Sequence, residues 1–448
     1  MELFVIGAFC LQLIVFVALG VNVLVPLVIG FALFFAYGVL TGHGPRELAR
    51  EAAISAKCAL GVLESFVLIG ILTALWRADG TISQIVVMTT PLVSPAAAPL
   101  AAFLLCGLVS YLIGTSFGTA ATMGVVCGTL AASMGASALL TGGAVLSGCY
   151  FGDRCSPVSS SALLVRSVTG TDMRGNLVAM MRTAAVPLAA SLAVYAALGF
   201  ALRPTGATGA SAGVADVLTG AFGYNLWALL PAAIIFVLPL TGLGMKRCMG
   251  LSCAVAAAVC LSRGATAVDL GRWALLGYAA QDADVAALMN GGGLSSMVNV
   301  SLIVCISSSY AGLFNVTGLV EGVQRFVDRV AGRFGAFAAV LTVGIPASMI
   351  ACNQTLAIML TNQLCGGSED DPRKLAIDLE NGPVVISPLI PWSIACSTIM
   401  AFAGAPGSSW VAAFYLWLIP VWHLFTTSRA RKANFFQKSP CNPMKASV

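Results

Sequence analysis

The chain has 448 residues, 58% of them hydrophobic and 9% charged, with a formal net charge of +5. Soluble domains carry about 25% charged residues, so this chain cannot clothe a water-facing surface, and its mean hydropathy of +0.93 points to hydrocarbon as its surroundings. The small net charge, spread over loops, gives no basic patch and no footing for a nucleic-acid partner.

A helix that crosses a bilayer needs about 20 apolar residues. Met1–Gly20 has Glu2 as its only charge, lacks a basic leader and is followed at once by a second apolar run, so it reads as a first span and not a signal peptide. Further apolar runs fall near 22–41, 59–76, 96–113, 119–135, 139–151, 176–201, 225–245, 248–262, 293–313, 334–350, 352–364, 385–404 and 408–427. Several are too short to cross alone and flank Gly-rich or Pro-containing breaks. Such breaks are expected where backbone lines a cavity instead of lipid. The expectation is an all-α polytopic membrane protein of about 11–12 elements, some broken or re-entrant.

Cysteines such as Cys106, Cys253, Cys260 and Cys305 sit inside apolar runs and read as small hydrophobes, with no metal-ligand spacing among them. Orientation follows Lys and Arg. The 43–57 connection holds Arg46, Arg50 and Lys57, and the tail holds Arg429, Arg431, Lys432, Lys438 and Lys445. Both are expected on the cytoplasmic side, as are both termini, in a multi-pass protein of the cell (inner) membrane. The tail, 428–448, with Pro440 and Pro443, reads as disordered.

An internal repeat is visible. Gly80 ends one apolar run and Gly318 another, 238 residues apart. The polar break Gly114-Thr115-Ser116-Phe117, moved by 238, lands on Cys352-Asn353-Gln354-Thr355. Ser156-Pro157 finds a partner in Ser387-Pro388 at a slightly smaller offset, each with an acid upstream, Asp153 and Glu380. The chain therefore divides into one transmembrane repeat at 1–202, a Gly/Ala/Ser/Thr-rich linker at 203–216, a second repeat at 217–427 and the tail. In the second half the basic connection, Lys246-Arg247, comes one span earlier, and 263–284 carries Asp269, Asp282 and Asp284. That shift is what repeats of opposite orientation predict.

Inverted repeats place a site near the midplane, at broken helices. Gly114, Thr115, Ser116 and Thr119 offer hydroxyl and backbone oxygens suited to a hard cation, with a Ser/Thr/Gly helix-packing face as the plain alternative. Asp153 precedes Ser156, Pro157 and Ser159. A carboxylate at membrane depth is costly and marks function by default, the alternative being a loop ion pair with Arg154. Asn353, Gln354 and Thr355 form the second break. Glu380 and Ser387 stand among Pro383, Pro388 and Pro391, which forbid a regular helix. Glu64 is another acid, inside the third span or at its basic edge. Gly118, Gly152, Pro157, Pro388 and Pro391 read as structural breaks.

In this order, GTSFGT (114–119), GCYFGDRCSPVSS (148–160) and LENGPVVISPLIPWS (379–393) resemble the NhaC family of sodium/proton antiporters, and the similarity runs from about residue 20 to 425. The family pattern falls on Gly114 through Thr119, on Gly152, Asp153, Ser156, Pro157 and Ser159, and on Pro388, Leu389, Ile390, Pro391 and Trp392, with Glu380 upstream. The resemblance implies an antiporter built as inverted repeats. Sodium would sit at Thr115, Ser116 and Asp153, with sodium and protons as transported species and no cofactor. The chain departs from the family where Asp-Thr-Thr usually follows Ser-Pro-Leu-Ser: Ser160, Ser161 and Ala162 stand there, so an acid is missing. Pro383 and Val384 replace a Gly-Thr. Losing a carboxylate weakens the pull on sodium, and the wider group includes carriers of organic acids and amino acids.

Two functions follow: cation/proton antiport through Asp153 and Glu380, or ion-coupled exchange of a small organic acid or amino acid, with helix N-termini and Arg154 holding a carboxylate. The partners are then the lipid bilayer, a small cation and proton or a small organic solute, with a homodimer as one allowed assembly. An enzyme is not expected: His43 and His423 are the only histidines, and no H-E-x-x-H is present.

Overall fold

A computed structural model describes residues 2–19, 21–57, 60–89, 93–202, 210–241, 243–318, 324–367, 369 and 371–438. Among them there is no strand, only an isolated bridge between Tyr278 and Gly291.

The first half begins with α1 (Glu2–Ala18) and α2 (Leu24–Leu40), apolar throughout. α3 (Pro45–Lys57) forms where the sequence suggested a loop. Pro45 starts it, Glu47 lies in its first turn and Lys57 in its last, which suits the helix dipole. Leu48 and Ala52, one turn apart, are its buried face. α4 (Leu60–Ala78) and α5 (Thr81–Thr89) meet at Gly80, whose φ is +87°. α6 (Ala98–Ile113) is followed by α7 (Ser116–Thr119), a π turn at Ala120–Gly124 and α8 (Val125–Ser133). Then come α9 (Ala138–Cys155), α10 (Ser160–Thr169) and α11 (Met173–Ala201).

Of the linker expected at 203–216, residues 203–209 lie outside the described residues. The rest is helical, within α12 (Ala210–Phe222). α13 (Leu230–Val237) has 3₁₀ turns before and after it, at Leu226–Leu229 and Leu238–Thr241, so the run at 225–245 is not one helix. α14 (Met245–Ser262) follows. The acidic connection 263–284 also folds, into α15 (Ala267–Leu276), closed by a Thr266/Asp269 capping box, and the start of α16 (Ala283–Met289), capped by Asp282. The remaining helices are α17 (Gly293–Thr317), α18 (Gln324–Phe334), α19 (Ala336–Ala351), α20 (Gln354–Cys365), α21 (Pro372–Asn381), α22 (Pro383–Ile386), α23 (Ile394–Phe402) and α24 (Phe414–Lys438). Residues 428–438 are thus helical and not irregular; 439–448 lie outside the described residues.

Among the described residues, five helices are long and apolar enough to cross a membrane, and up to seven if the bent pairs at Ala215–Phe222 with Leu226–Val237 (104°) and Pro372–Leu389 with Ile394–Phe402 (55°) each count once. Val178, Val186 and Phe200 on α11 and Val25 and Val28 on α2 are exposed, as lipid-facing side chains should be. The protein is an all-α, multi-pass membrane protein.

Small residues set the packing around α9, as is usual between membrane helices. α6 and α9 run side by side in the same direction: Gly148 meets the Phe103 carbonyl and Gly152 the backbone of Tyr111. Ser110 Oγ donates to the Cys149 carbonyl at 2.5 Å, tying the pair. On another face, Gly142 and Gly143 approach Ser409 and Ala412. The Tyr195 hydroxyl sits 2.8 Å from both Ser147 Oγ and the Ala412 carbonyl and accepts the Phe414 N–H at 3.3 Å. The other hairpin closes elsewhere: Leu364 and Cys365, at the end of α20, cluster with Phe337, Val340 and Val343 at the start of α19.

A Cβ on Gly148 would stand 2.6 Å from the Phe103 oxygen, whereas one on Gly250 would meet nothing within 4 Å. Gly148→Leu is expected to cost about 1–3 kcal/mol or more and to lower the melting temperature in detergent, with Gly250→Leu close to wild type in the same measurement.

Candidate functional site

Two helix breaks carry the site, and they share one backbone pattern. α6 ends at Gly114, left-handed at φ +73°, and Thr115 is extended at φ −147°. α19 ends at Cys352, left-handed at φ +52°, and Asn353 is extended at φ −143°. Both preceding helices have 16 residues. Cys352 is the one non-glycine among the described residues with positive φ. Such a conformation costs on the order of 1–3 kcal/mol and persists only where its surroundings impose it. The surroundings here are specific: the Cys352 carbonyl accepts Ser393 Oγ at 3.1 Å and the Ile394 N–H at 2.8 Å, while Trp392 Nε1 donates to the Met349 carbonyl at 3.0 Å. Gln354 Nε2 donates to the Val384 carbonyl at 2.9 Å. At the first break, a Cβ on Gly114 would lie 2.8 Å from the Val158 backbone. Each tip therefore packs on the Ser-Pro segment of its own half.

Asp153 lies in the last turn of α9 and is buried. Ser159 Oγ donates to its Oδ1 at 3.1 Å, and Ser116 faces the same carboxylate. Ser159 also caps α10 through the Ala162 N–H at 3.2 Å and touches Ser161 Oγ at 2.9 Å. The two tips and Asp153 line one cavity of about 510 Å³, to which Thr115, Ser116, Asn353, Gln354 and Thr355 all contribute. Among the described residues, Asp153 is the only charged side chain in that lining. The sequence reading missed Ser55, Ser308 and Gln363, which also line it. They lie on amphipathic α3, mid-α17 and late α20, where no break or acid marks them. Ser160 lines the cavity too, so the family acid it replaces would have stood in the cavity wall.

Other expected site residues lie elsewhere. Thr119 Oγ1 donates to the Thr115 carbonyl at 2.9 Å, holding its own helix. Gly114 is a cap, and Ser156 and Ser159 hold the α9–α10 break behind Asp153, with Pro157 inside that break. Gly118 and Gly152, expected as breaks, lie inside α7 and α9 instead, where the missing side chain serves packing: Gly118 leaves room for Thr115 and Met245, and Gly152 for α6. Pro388 falls in a 3₁₀ turn and Pro391 in the bend before α23. Ser387 is buried, its hydroxyl without a hydrogen-bond partner. Glu64 is exposed and pairs with Lys246 at 2.8 Å, away from the Asp153 cavity.

Arg154 corrects a larger expectation. It forms no ion pair with Asp153; it turns away from the cavity, fully buried. Its Nε donates to the Glu380 carbonyl at 3.3 Å, and its Nη2 to Asn381 Oδ1 at 2.5 Å and Thr183 Oγ1 at 3.0 Å. Its Nη1 donates to the Met180 carbonyl at 3.4 Å and to Tyr415 Oη at 3.3 Å. One guanidinium thus joins α9, α11, α21 and α24. Glu380 is buried outside the cavity, and neither carboxylate oxygen has a hydrogen-bond partner. It lies within electrostatic reach of Arg154 and Asp153. A buried, unpartnered carboxyl calls for a functional account.

Hydroxyl, amide and single-carboxylate oxygens at the meeting of two broken helices make a site for a small cation or a small polar solute. The sequence profile described as the Na+/H+ antiporter family matches residues 2–172 and 148–425. The chain belongs to that family. Among relatives, the arginine/ornithine antiporter ArcD of Halobacterium salinarum is 27% identical over 306 residues, 64% of this chain and 62% of its own length. An uncharacterized Na+/H+ antiporter of Haemophilus influenzae is 24% identical, over 64% of each chain. The Na+/H+ antiporter NhaC of Bacillus subtilis is 25% identical over 93% of this chain and 95% of its own. The chain thus spans less than two thirds of the first two relatives and nearly all of the third.

Arg154→Met removes five donors from buried acceptors. It is expected to destabilise the protein by about 3 kcal/mol or more, read as a lower melting temperature, and Arg154→Lys is expected to recover only part of it, because one ammonium cannot span the same acceptors.

Proposed function

We propose that this protein is a secondary active transporter of the cell membrane that exchanges sodium for protons by alternating access. The observation that carries the reading is the placement of Asp153, the one charged side chain in a cavity built from both helix breaks. Sodium would take oxygens from Asp153, Thr115 and Ser116. A proton on Asp153 would compete with it, so either cation can ride but not both. Glu380 would be the second acid, exchanging a proton next to Arg154. The two tips, alike in backbone and offset by 238 residues, support two repeats of opposite orientation, 1–202 and 217–427. Arg46, Arg50, Lys57, Lys246 and Arg247 would mark the cytoplasmic face, with both termini on it.

A second reading is exchange of a small organic acid or amino acid, and the cavity volume favours it. About 510 Å³ falls in the usual range of small-molecule sites, ≈ 300–1,000 Å³, far above the need of one bare ion. Ser160 in the wall leaves room and removes charge where the family resemblance puts an acid. Asp153 could hold a substrate ammonium, as an arginine/ornithine exchanger would require. Arg154 is not available for a carboxylate, so that group would face hydroxyls, amides and the N-terminus of α20.

A pH jump in proteoliposomes separates the readings. Sodium- or lithium-dependent dequenching supports the first; no response to any cation, with uptake of an amino or carboxylic acid, sinks it in favour of the second. Asp153→Asn is expected to abolish coupled transport while the protein still inserts and purifies; transport at the wild-type rate would remove Asp153 from the mechanism. Glu380→Gln is expected to lower the rate or move its pH profile, and an unchanged profile would make Glu380 structural.

A further inference from the structure

The second of the two histidines is buried against a carboxylate, a contact that the exchange proposed above does not use. His423 Nε2, on α24, lies 2.7 Å from Asp378 Oδ1, on α21, and both side chains are almost fully buried. The imidazole stands edge-on to the Phe337 ring, centroids 4.4 Å apart, which fixes its plane. The pair lines a cleft of about 570 Å³, separate from the Asp153 cavity and sharing no residue with it. Among the described residues, the other charged groups lining the cleft are Glu369, Arg373 and Lys374; α11 and α19 present Ala179 and residues 336–338 there. Lys374 is engaged with Glu369 at 3.6 Å.

The helix that carries Asp378 also carries Glu380 and Asn381 in its last turn. Those two residues supply the carbonyl and the amide oxygen that Arg154 grips, and Arg154 is the chain neighbour of Asp153. α21 therefore connects the two regions through its backbone: Asp378 faces His423 at the cleft, and two and three residues on, the Glu380 carbonyl and the Asn381 side chain are held by Arg154 behind Asp153. An imidazole against a carboxylate can share a proton with it, and the cleft runs along its side.

We propose that the His423–Asp378 pair is a second proton-binding site, reached through its own cleft, whose occupancy biases α21 and thereby the Arg154 anchor behind Asp153. A proton taken from cleft water sits on the imidazole against the Asp378 carboxylate and returns to water on release; no other bond changes. The site sets how transport depends on pH without touching the transported solute. The proposal rests on the reading of an ion-coupled transporter, but its binding step can be tested apart from transport.

The double variant His423→Gln/Asp378→Asn keeps a hydrogen-bonded pair and removes its charge. In proteoliposomes its half-maximal pH for transport should move by about one unit or more while the KM for sodium, measured where both proteins are fully active, stays within twofold. Superimposable pH profiles would overturn the proposal. The binding step is read directly in a His43→Gln background, where one histidine remains and ¹⁵N-histidine labelling yields a single imidazole signal. That signal should shift reversibly with pH in the folded protein; an imidazole signal fixed across the pH range of activity would overturn the proposal even if the double variant does not fold. An imidazole that titrates in a protein that exchanges no cation would refute the sodium reading and leave the proton site standing.

Discussion

Within hydrocarbon every backbone N–H and C=O must find a partner inside the protein, and this chain breaks its helices at membrane depth. The rest of the structure depends on how those breaks are satisfied. The Cys352 carbonyl takes two donors from the start of α23, Trp392 reaches back to Met349, and Gln354 supports Val384. Gly114 lets its tip settle on Val158. Each break is thus held by the Ser-Pro segment of its own half, and the cavity is what remains between two tips satisfied from behind.

The same constraint explains why adjacent charges part company. Asp153 and Arg154 follow one another in the sequence, yet the carboxylate faces the cavity and the guanidinium faces α11, α21 and α24. A buried guanidinium must fill its donors to offset desolvation, and the carbonyl and amide acceptors around α21 do so. Asp153 keeps only the Ser159 and Ser116 hydroxyls and so remains open to a cation. Arg154 is therefore scaffold, and it ties the acid of the first half to the acid-bearing helix of the second.

Ser160 gives the site its individual character. At a wall position where the family resemblance expects an acid, it leaves one carboxylate in a cavity large enough for a small organic solute.

Much of this was legible in the sequence. Composition dictated a membrane protein because 9% charge cannot cover a wet surface, and prolines and glycines located the breaks because their backbone limits are local. The offset of 238 carried the first tip onto the second, Cys352 to Thr355, where polar residues inside an apolar run mark the break without glycine or proline. What tertiary structure alone decided was which side chains share a space. Glu380 and Ser387 sit beside a break as Asp153 does, yet lie outside the cavity, and Ser55, Ser308 and Gln363 line it from helices with no local signal. The connection 43–57 reads as a loop because its charge hides a short amphipathic helix whose Leu48 and Ala52 are buried only once neighbours such as α17 pack on it, and 263–284 hides α15, which buries none of its residues. Local sequence reports what the backbone can do at a point; the direction a side chain faces depends on neighbours hundreds of residues away.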